Sequence, residues 1–370
     1  MDKTFYEALE KQSIAGQAIS KNIALQILES PNVELLPLLN AAFGVRKHFM
    51  GKSVRIHIIN NSQNGYCPED CHYCAQAKSS TADIEEYPLK PDNEIIAEAK
   101  NAYEKGAYRY CMVFAGRGPT QKRVEHLAKL IREIKSKYPI QICVSAGLLN
   151  EENAKILKDA GLDRLNHNLN TSENHYPNIC TTHNYADRLN TLSAGRKAGI
   201  QLCSGIIVGM QETKNDVLEV AYTLRELKVE SIPVNLLIPI EGTSINKKNH
   251  LTPEYCLRVL CLFRLLNPNA EIRIAAGREI HLRSMEVLAL YPANSLFLDG
   301  YLNTKGNSRG RTLQMIKDAG FTIESDQPLE ELLKNEKEAE TNLNHDVISK
   351  TLIKGLKELR PELNLQTKNC

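Results

Sequence analysis

Short strand-like runs alternate with longer amphipathic segments through most of the chain. The strand-like runs start near residues 54, 108, 140, 164, 200, 231, 271 and 294, and a helix-like segment follows each of them. Strands that alternate with helices form parallel sheets, and eight such units in roughly 250 residues are what a closed barrel requires. The sequence therefore predicts an α/β fold, a (β/α)8 TIM-type barrel.

The barrel is expected to lie between two helical segments. Residues 1–50 are predicted to form an N-terminal helical extension, with a break at Pro37. Residues 51–325 are predicted to form the barrel. Residues 326–370 are charged and predict a C-terminal helical tail, interpreted as a solvated cover or an oligomer contact.

Each strand-like run separates into an apolar and a polar face, because side chains alternate across a strand. The outward face of a barrel strand packs against helices, so the polar face is predicted to point inward. The main inward positions are His57, Asn61, Arg109, Cys111, Gln141, Cys143, Asn166, Asn168, Asn170, Gln201, Cys203, Ser231, Asn235 and Arg273. Such a lumen favours a cavity that holds a polar or metal-bearing group. The alternative is a plugged core whose polar groups satisfy one another.

Charge and the N-terminus narrow the choice of partner and compartment. The chain carries 46 Lys and Arg against 44 Asp and Glu, which gives no excess of positive charge for nucleic acid or an anionic membrane. The first residues lack the apolar run of a signal peptide, and no stretch reaches the length of a membrane span. We expect a cytoplasmic protein that acts on a small molecule. In that reducing compartment clustered cysteines favour metal ligation or redox chemistry over disulfides.

Three of the ten cysteines are concentrated in one short segment. Cys67, Cys71 and Cys74 lie within NGYCPEDCHYCAQ, and no fourth cysteine stands beside them. Thiols at this density indicate zinc or iron–sulfur ligation. Structural zinc usually takes four protein ligands, whereas a 4Fe-4S cluster held by three cysteines keeps one iron open for an external ligand.

The spacing CxxxCxxC after the first barrel strand, with Tyr73 just before the last cysteine, resembles the radical S-adenosylmethionine superfamily. The resemblance implies a 4Fe-4S cluster on Cys67, Cys71 and Cys74. It also implies that S-adenosylmethionine binds the open iron and yields a 5′-deoxyadenosyl radical. A zinc site is the alternative.

Further blocks resemble the biotin synthase family within that superfamily. They are YRYCM, NHNLNTS, TTHNYADRLNTL, CSGIIVGMQET, IPVNLLIPIEGT and IRIAAGREIHLRS, in matching order between about residues 50 and 320. The resemblance implies conversion of dethiobiotin to biotin, with sulfur taken from an auxiliary 2Fe-2S or larger cluster. By the same resemblance, the ligands of that cluster are Cys111, Cys143, Cys203 and Arg273.

The same blocks assign further binding residues. Asn168 and Asn235 match substrate-binding positions. The positions matched to S-adenosylmethionine binding are Tyr73, the backbone at Ala115, Asn170 and Arg188. Asn170 is a departure, since many relatives have Asp there.

Three questions stay open from the sequence. Cys180 is either an extra ligand of a larger auxiliary cluster or an apolar substitute, whereas Cys256 and Cys261 are expected to fill the core. The family implies an electron donor such as flavodoxin or ferredoxin, iron–sulfur assembly machinery and a homodimer. The alternative functions are a related enzyme of hydrogenase maturation or lysine rearrangement, and a non-catalytic metal-binding scaffold.

Overall fold

A computed structural model describes residues 1–245, 251–336 and 353–362. Its centre is a closed parallel barrel. The strands are β1 (Ser53–Gln63), β2 (Arg109–Phe114), β3 (Gln141–Ser145), β4 (Arg164–Asn166), β5 (Gln201–Cys203), β6 (Ile206–Val208), β7 (Ser231–Leu236), β8 (Glu271–Ile274), β9 (Ser295–Phe297) and β10 (Thr322–Ile323). Each strand pairs in parallel with its neighbour, and pairing of β9 with β1 closes the cylinder. The predicted TIM-type barrel is confirmed.

The fifth barrel strand is interrupted and consists of β5 and β6. Ser204 and Gly205 separate the two halves. A side chain at Gly205 would collide with the carbonyl oxygen of Pro233, so glycine permits the close approach of β7 here.

Helices follow the strands at the predicted places. They are α4 (Asp92–Glu104), α5 (Gln121–Lys137), α6 (Glu151–Asp159), α7 (Tyr185–Lys197), α8 (Lys214–Glu226), α9 (Pro253–Leu266), α10 (Arg278–Leu282) and α11 (Arg309–Asp318). Several begin at side-chain caps, and α7 starts with a reciprocal pair in which Asn184 and Asp187 each bond the other's backbone. The outward strand residues and the inner faces of these helices form the apolar core.

The N-terminal extension contains α1 (Lys3–Ile14), α2 (Lys21–Glu29) and α3 (Leu35–Met50). The predicted break at Pro37 is wrong, because Pro37 lies in the first turn of α3. There the missing N–H has no intrahelical partner to lose. The breaks occur instead at residues 15–20 and 30–34.

The extension packs on α9 and explains that helix's composition. α1, α2 and α3 all contact α9, and nearly every residue of α9 is buried. Cys256 and Cys261 are fully buried within α9, as expected for core residues. A helix covered on both sides must be apolar nearly all round.

The C-terminal tail is described only in part. α12 (Leu329–Asn335) and α13 (Leu356–Leu359) are present, whereas residues 337–352 and 363–370 of the predicted tail lie outside the described residues. The segment at 353–362 contacts the barrel, where Lys90 Nζ lies 2.5 Å from the Leu359 carbonyl oxygen and Arg360 Nε lies 2.7 Å from Glu94. Among the described helices, none combines the length and the apolarity needed to cross a membrane.

Candidate active site

A cavity of about 280 Å³ opens at the carboxyl ends of the barrel strands and is called here the main cavity. This end of a TIM barrel carries the active site in characterised enzymes. Nine of the ligand-binding residues assigned from the sequence line it. They are Cys67, Cys71, Tyr73, Cys74, Ala115, Asn168, Asn170, Arg188 and Asn235.

The three outer cysteines lie on the long segment between β1 and α4. Burial raises the pKa of the Cys67 thiol and raises that of Cys74 to about 11. Buried thiols are costly to ionise unless a cation compensates them, so the donor set suits a metal group.

Tyr73 and Asn170 meet in the main cavity. The Asn170 side-chain amide donates to the Tyr73 hydroxyl at 2.6 Å. Asn170 has a φ of +69°, a left-handed conformation that Asn tolerates better than most residues. The pair joins the cysteine loop to the end of the fourth barrel strand.

Arg188 is buried in the cavity wall and fixed by several bonds. Its Nη1 donates to the Asn168 carbonyl oxygen at 2.8 Å, its Nη2 contacts His183 Nε2 at 2.8 Å, and its Nε donates to the Tyr176 hydroxyl. Burial opposes its charge, but the nearby Tyr73 and Tyr176 hydroxyls and the Tyr176 hydrogen bond raise the pKa of Arg188. A rigid cation in a cavity wall is suited to bind a carboxylate.

Asn235 and Ala115 have less free hydrogen-bonding capacity than their sequence assignments imply. The Asn235 amide donates to the Ile206 carbonyl at 3.0 Å and accepts from the Ala276 N–H at 3.3 Å. The Ala115 N–H donates to the Gln63 carbonyl at 3.2 Å. In both residues the remaining acceptor positions are what a ligand in the cavity can use.

Below the main cavity, Cys111, Cys143, Cys203 and Arg273 come together inside the barrel. Cys111 and Cys143 are direct cross-strand partners, and Arg273 Nη1 lies 3.7 Å from Cys203 Sγ. The three cysteines are buried in one small cluster. The sequence prediction that these four side chains point inward is confirmed.

A small inner cavity of about 30 Å³ touches this group. Its lining includes Cys111, Cys143 and Arg273, and it shares Asn166 and Asn168 with the main cavity. The hydrogen bond with Cys111 raises the pKa of Cys143 to about 12, and the same bond lowers the pKa of Cys111. The buried Arg273 Nε has no partner among the described residues. Three thiols, which are soft ligands, lie beside a guanidinium that has an unused nitrogen. This combination of ligand atoms suits an iron–sulfur group.

Glu271 was missed by the sequence analysis. It is fully buried under the inner cysteines and contacts five basic side chains. They are Arg55, His57, Arg109, Arg164 and Arg273, at 3.4, 2.9, 3.1, 3.0 and 2.6 Å. Burial alone would raise its pKa, but the surrounding positive charges hold the pKa of Glu271 well below its usual range. Its inward parity, two residues before Arg273, was a signal that could have identified it.

Cys180 is not among the inner cysteines and lies beside an outer one, with its Sγ 3.8 Å from Cys71 Sγ. It is buried, as an apolar substitute would be. Its sulfur also contacts Asp70 at 3.2 Å and His183 Nδ1 at 3.3 Å, which neither expectation included. Sequence spacing offered no signal for this contact, because the two cysteines lie on different loops.

Two family descriptions match the chain. "Radical SAM superfamily" matches residues 63–224, and "Biotin and Thiamin Synthesis associated domain" matches residues 233–322. The first range contains the outer cysteines and the three inner ones. The second contains Asn235, Glu271 and Arg273.

Two solved structures show the same fold at low identity. Methylornithine synthase superposes with a TM-score of 0.74 at 18% identity, covering 87% of this chain and 98% of that one. The FeFe-hydrogenase maturase from Carboxydothermus hydrogenoformans superposes with a TM-score of 0.73 at 19% identity, covering 89% of this chain and 81% of that one. At these identities the likeness concerns the fold alone.

Curated relatives are much more similar in sequence. A biotin synthase from Magnetococcus marinus is 56% identical over 316 residues, which cover 85% of this chain and 98% of that protein. One from Acaryochloris marina is 59% identical over 300 residues, covering 81% of this chain and 87% of that protein. The chain therefore belongs to the biotin synthase family of the radical S-adenosylmethionine superfamily.

Proposed function

We propose that this protein converts dethiobiotin to biotin by inserting one sulfur atom between two saturated carbons. The observation that carries the proposal is the two-level arrangement of thiols. Three cysteines line the main cavity, and three more lie with Arg273 beneath it, connected through the shared wall at Asn166 and Asn168. Family membership supplies the substrate and the reaction.

The outer cysteines, Cys67, Cys71 and Cys74, would hold a 4Fe-4S cluster, with one iron open to S-adenosylmethionine. Arg188 is the proposed partner of the methionyl carboxylate, because it is a buried cation fixed by neutral partners. Asn170 and Tyr73 are proposed to bind the ribose and line the adenosyl side. The Ala115 carbonyl is proposed to accept from the methionyl amino group.

The inner residues, Cys111, Cys143, Cys203 and Arg273, would hold the auxiliary cluster, proposed as 2Fe-2S. Arg273 is kept beside Cys203 by its ion pair with Glu271 and by a 2.8 Å bond to the Ser231 hydroxyl. Two such partners oppose rotation of the guanidinium away from the thiols.

When bound, S-adenosylmethionine and the outer cluster supply a radical that takes hydrogen from carbon, and the auxiliary cluster supplies the sulfur. The protein's own contribution is placement and exclusion of water. Asn168 and Asn235 are proposed to orient the polar ring of dethiobiotin between the two levels of thiols. The enclosing barrel wall limits the quenching of that radical by solvent.

The wider assignments are also proposals. Cleavage of S-adenosylmethionine needs electrons, so a low-potential donor such as flavodoxin or ferredoxin is proposed. Loss of sulfur from the inner site requires iron–sulfur assembly machinery to restore it. A reducing cytoplasm suits free thiols on both levels. The family also suggests a homodimer.

The test is anaerobic incubation of the iron- and sulfide-loaded protein with dethiobiotin, S-adenosylmethionine and dithionite. Mass spectrometry should detect biotin together with 5′-deoxyadenosine. Formation of 5′-deoxyadenosine with loss of dethiobiotin but no sulfur-containing product would favour a related radical enzyme. Absence of 5′-deoxyadenosine would favour the scaffold alternative.

A further inference from the structure

The loop that carries Cys71 is hydrogen-bonded to the loop that carries Cys180, on both sides of the two cysteines. The Asp70 carboxylate accepts from the backbone N–H groups of Thr181 and Thr182 at 3.0 and 3.2 Å. On the other side, the His72 N–H donates to the Ile179 carbonyl at 2.9 Å. The residues that flank one cysteine are therefore bonded to the residues that flank the other, in antiparallel order.

This pairing brings the two sulfurs into contact. The Sγ atoms of Cys71 and Cys180 are 3.8 Å apart, and bonds on both sides of them hold the two loops together. A disulfide bond of about 2.05 Å requires the two sulfurs to move closer by about 1.8 Å.

His183 makes the same site look like a candidate for a single metal ion, since its ligand atoms and those of the two cysteines lie within 4.8 Å of one another. Both of its ring nitrogens are occupied, however. Nδ1 is bonded to the Glu69 carboxylate and Nε2 to Arg188 at 2.8 Å. A metal would have to break one of these buried bonds, whereas a disulfide leaves both in place.

We propose that Cys71 and Cys180 form a reversible disulfide when the outer cluster is absent, so that Cys180 is a resolving cysteine for the cluster site. The inference rests on the assignment of Cys71 as a cluster ligand. The disulfide would withhold one of three ligands from iron and shield its sulfur from irreversible oxidation. Reduction would return the complete ligand set for reloading.

The chemistry is thiol–disulfide exchange with a small disulfide such as oxidised glutathione. Cys71 faces the main cavity and is partly exposed, whereas Cys180 is buried behind it. The Cys71 thiol, which donates toward Cys180 Sγ, passes its proton to Cys180 as the Cys71 sulfur attacks the reagent, forms a mixed disulfide and releases one glutathione thiolate. That thiolate takes the proton from Cys180 and leaves as the first glutathione thiol. The Cys180 thiolate then attacks the Cys71 sulfur and releases the second glutathione, which takes up a proton from solvent. The two cysteines lose two electrons and one proton, solvent supplies the second proton, and oxidised glutathione gains them as two thiols.

The test uses the full-length protein, stripped of iron by anaerobic reduction and chelation and then treated with oxidised glutathione. Remaining thiols are alkylated, and the linkages are mapped by mass spectrometry of peptides. The expected product is a Cys71–Cys180 linked peptide that dithiothreitol removes. Outer-cluster loading, followed by electron paramagnetic resonance of the reduced cluster, should be lost after oxidation and return after dithiothreitol.

The Cys180→Ser variant should keep the glutathione adduct on Cys71 and give no internal linkage. Cys180→Val is a second variant that suits the buried position, and circular dichroism checks that both fold. Cys256→Ala is the matched control, since it removes a buried cysteine elsewhere and should still form the linkage. Alkylated Cys180 in the oxidised wild-type protein would overturn the proposal, and so would linkage of Cys71 to Cys67 or Cys74. Neither result depends on biotin formation.

Discussion

Glu271 and Arg273 form a buried ion pair two residues apart on β8, with Arg273 Nη2 2.6 Å from Glu271 Oε1. Both side chains point into the barrel because they share strand parity. The pair connects the inner cysteines, through Arg273, to a layer of basic residues below them. Among the described groups, Glu271 is the carboxylate that contacts all five basic side chains. Arg55 is also paired with the half-exposed Glu324, so Glu271 balances the charge of the buried part of the layer.

Glu271→Gln is expected to destabilise the protein by about 3 to 5 kcal/mol, because it leaves buried guanidinium groups without a counter-charge. Urea unfolding measures the loss. The control is Glu324→Gln, which removes a half-exposed partner of Arg55 and should cost less than about 1 kcal/mol. Equal losses in the free energy of unfolding would show that the buried Glu271 carboxylate stabilises the protein no more than the half-exposed Glu324 carboxylate does.

The Glu271 carboxylate also predicts that the stability of the folded protein depends on pH. The pKa of Glu271 is held well below its usual range by the surrounding cations, although burial opposes this. The folded state thus releases this proton more readily than the unfolded state. Its stabilisation is fully present above the usual Glu pKa of about 4.3 and is lost as pH falls through the folded value.

Urea unfolding of wild type and Glu271→Gln between pH 8 and pH 3 checks this expectation. The difference in free energy of unfolding should stay constant down to about pH 5 and shrink only at lower pH. A difference that changes mainly between pH 6 and pH 8 would contradict it.

The two levels of cysteines are expected to hold iron independently. Cys74→Ala should lose the outer cluster and all 5′-deoxyadenosine formation, while it retains the inner iron. Cys143→Ala should lose the inner iron and biotin formation, yet still cleave S-adenosylmethionine. Iron and sulfide analysis of both variants is the measurement, and loss of all iron from either one would argue against two separate sites.

Asn170→Asp is expected to keep the fold, because Asp also tolerates the left-handed conformation at φ +69°. The Tyr73 hydroxyl can then donate to the new carboxylate. Charged acceptors bind hydroxyl donors, here those of the ribose, about twice as strongly as neutral acceptors do. The Kd for S-adenosylmethionine should therefore fall by up to about tenfold.

Equilibrium binding of S-adenosylmethionine to the cluster-loaded protein provides the measurement. Asn170→Val is the contrasting variant, since it removes the hydrogen bond and costs about 1 to 2 kcal/mol of backbone strain. Weaker binding by the Asp variant than by wild type would place the ribose elsewhere.

Much of the site could be predicted because strand parity is a local property. Cys111, Cys143, Cys203 and Arg273 sit on the polar faces of four different strands, and closure of the barrel turns those faces toward one another. Glu271 obeys the same rule, so the inward direction of its side chain could be predicted from the sequence. Its five basic partners could not be read from it, because the distances between strands depend on barrel closure.

By itself, the sequence determined the alternating strands and helices, the inward faces and the closely spaced outer cysteines, since periodicity and short spacing act along the chain. Only the tertiary structure decided that Cys180 touches Cys71, 109 residues away. That contact depends on two irregular loops whose positions are set by bonds such as those of Asp70 and His72. Loops have no repeating side-chain direction, so their meeting is determined by the folded barrel that carries them.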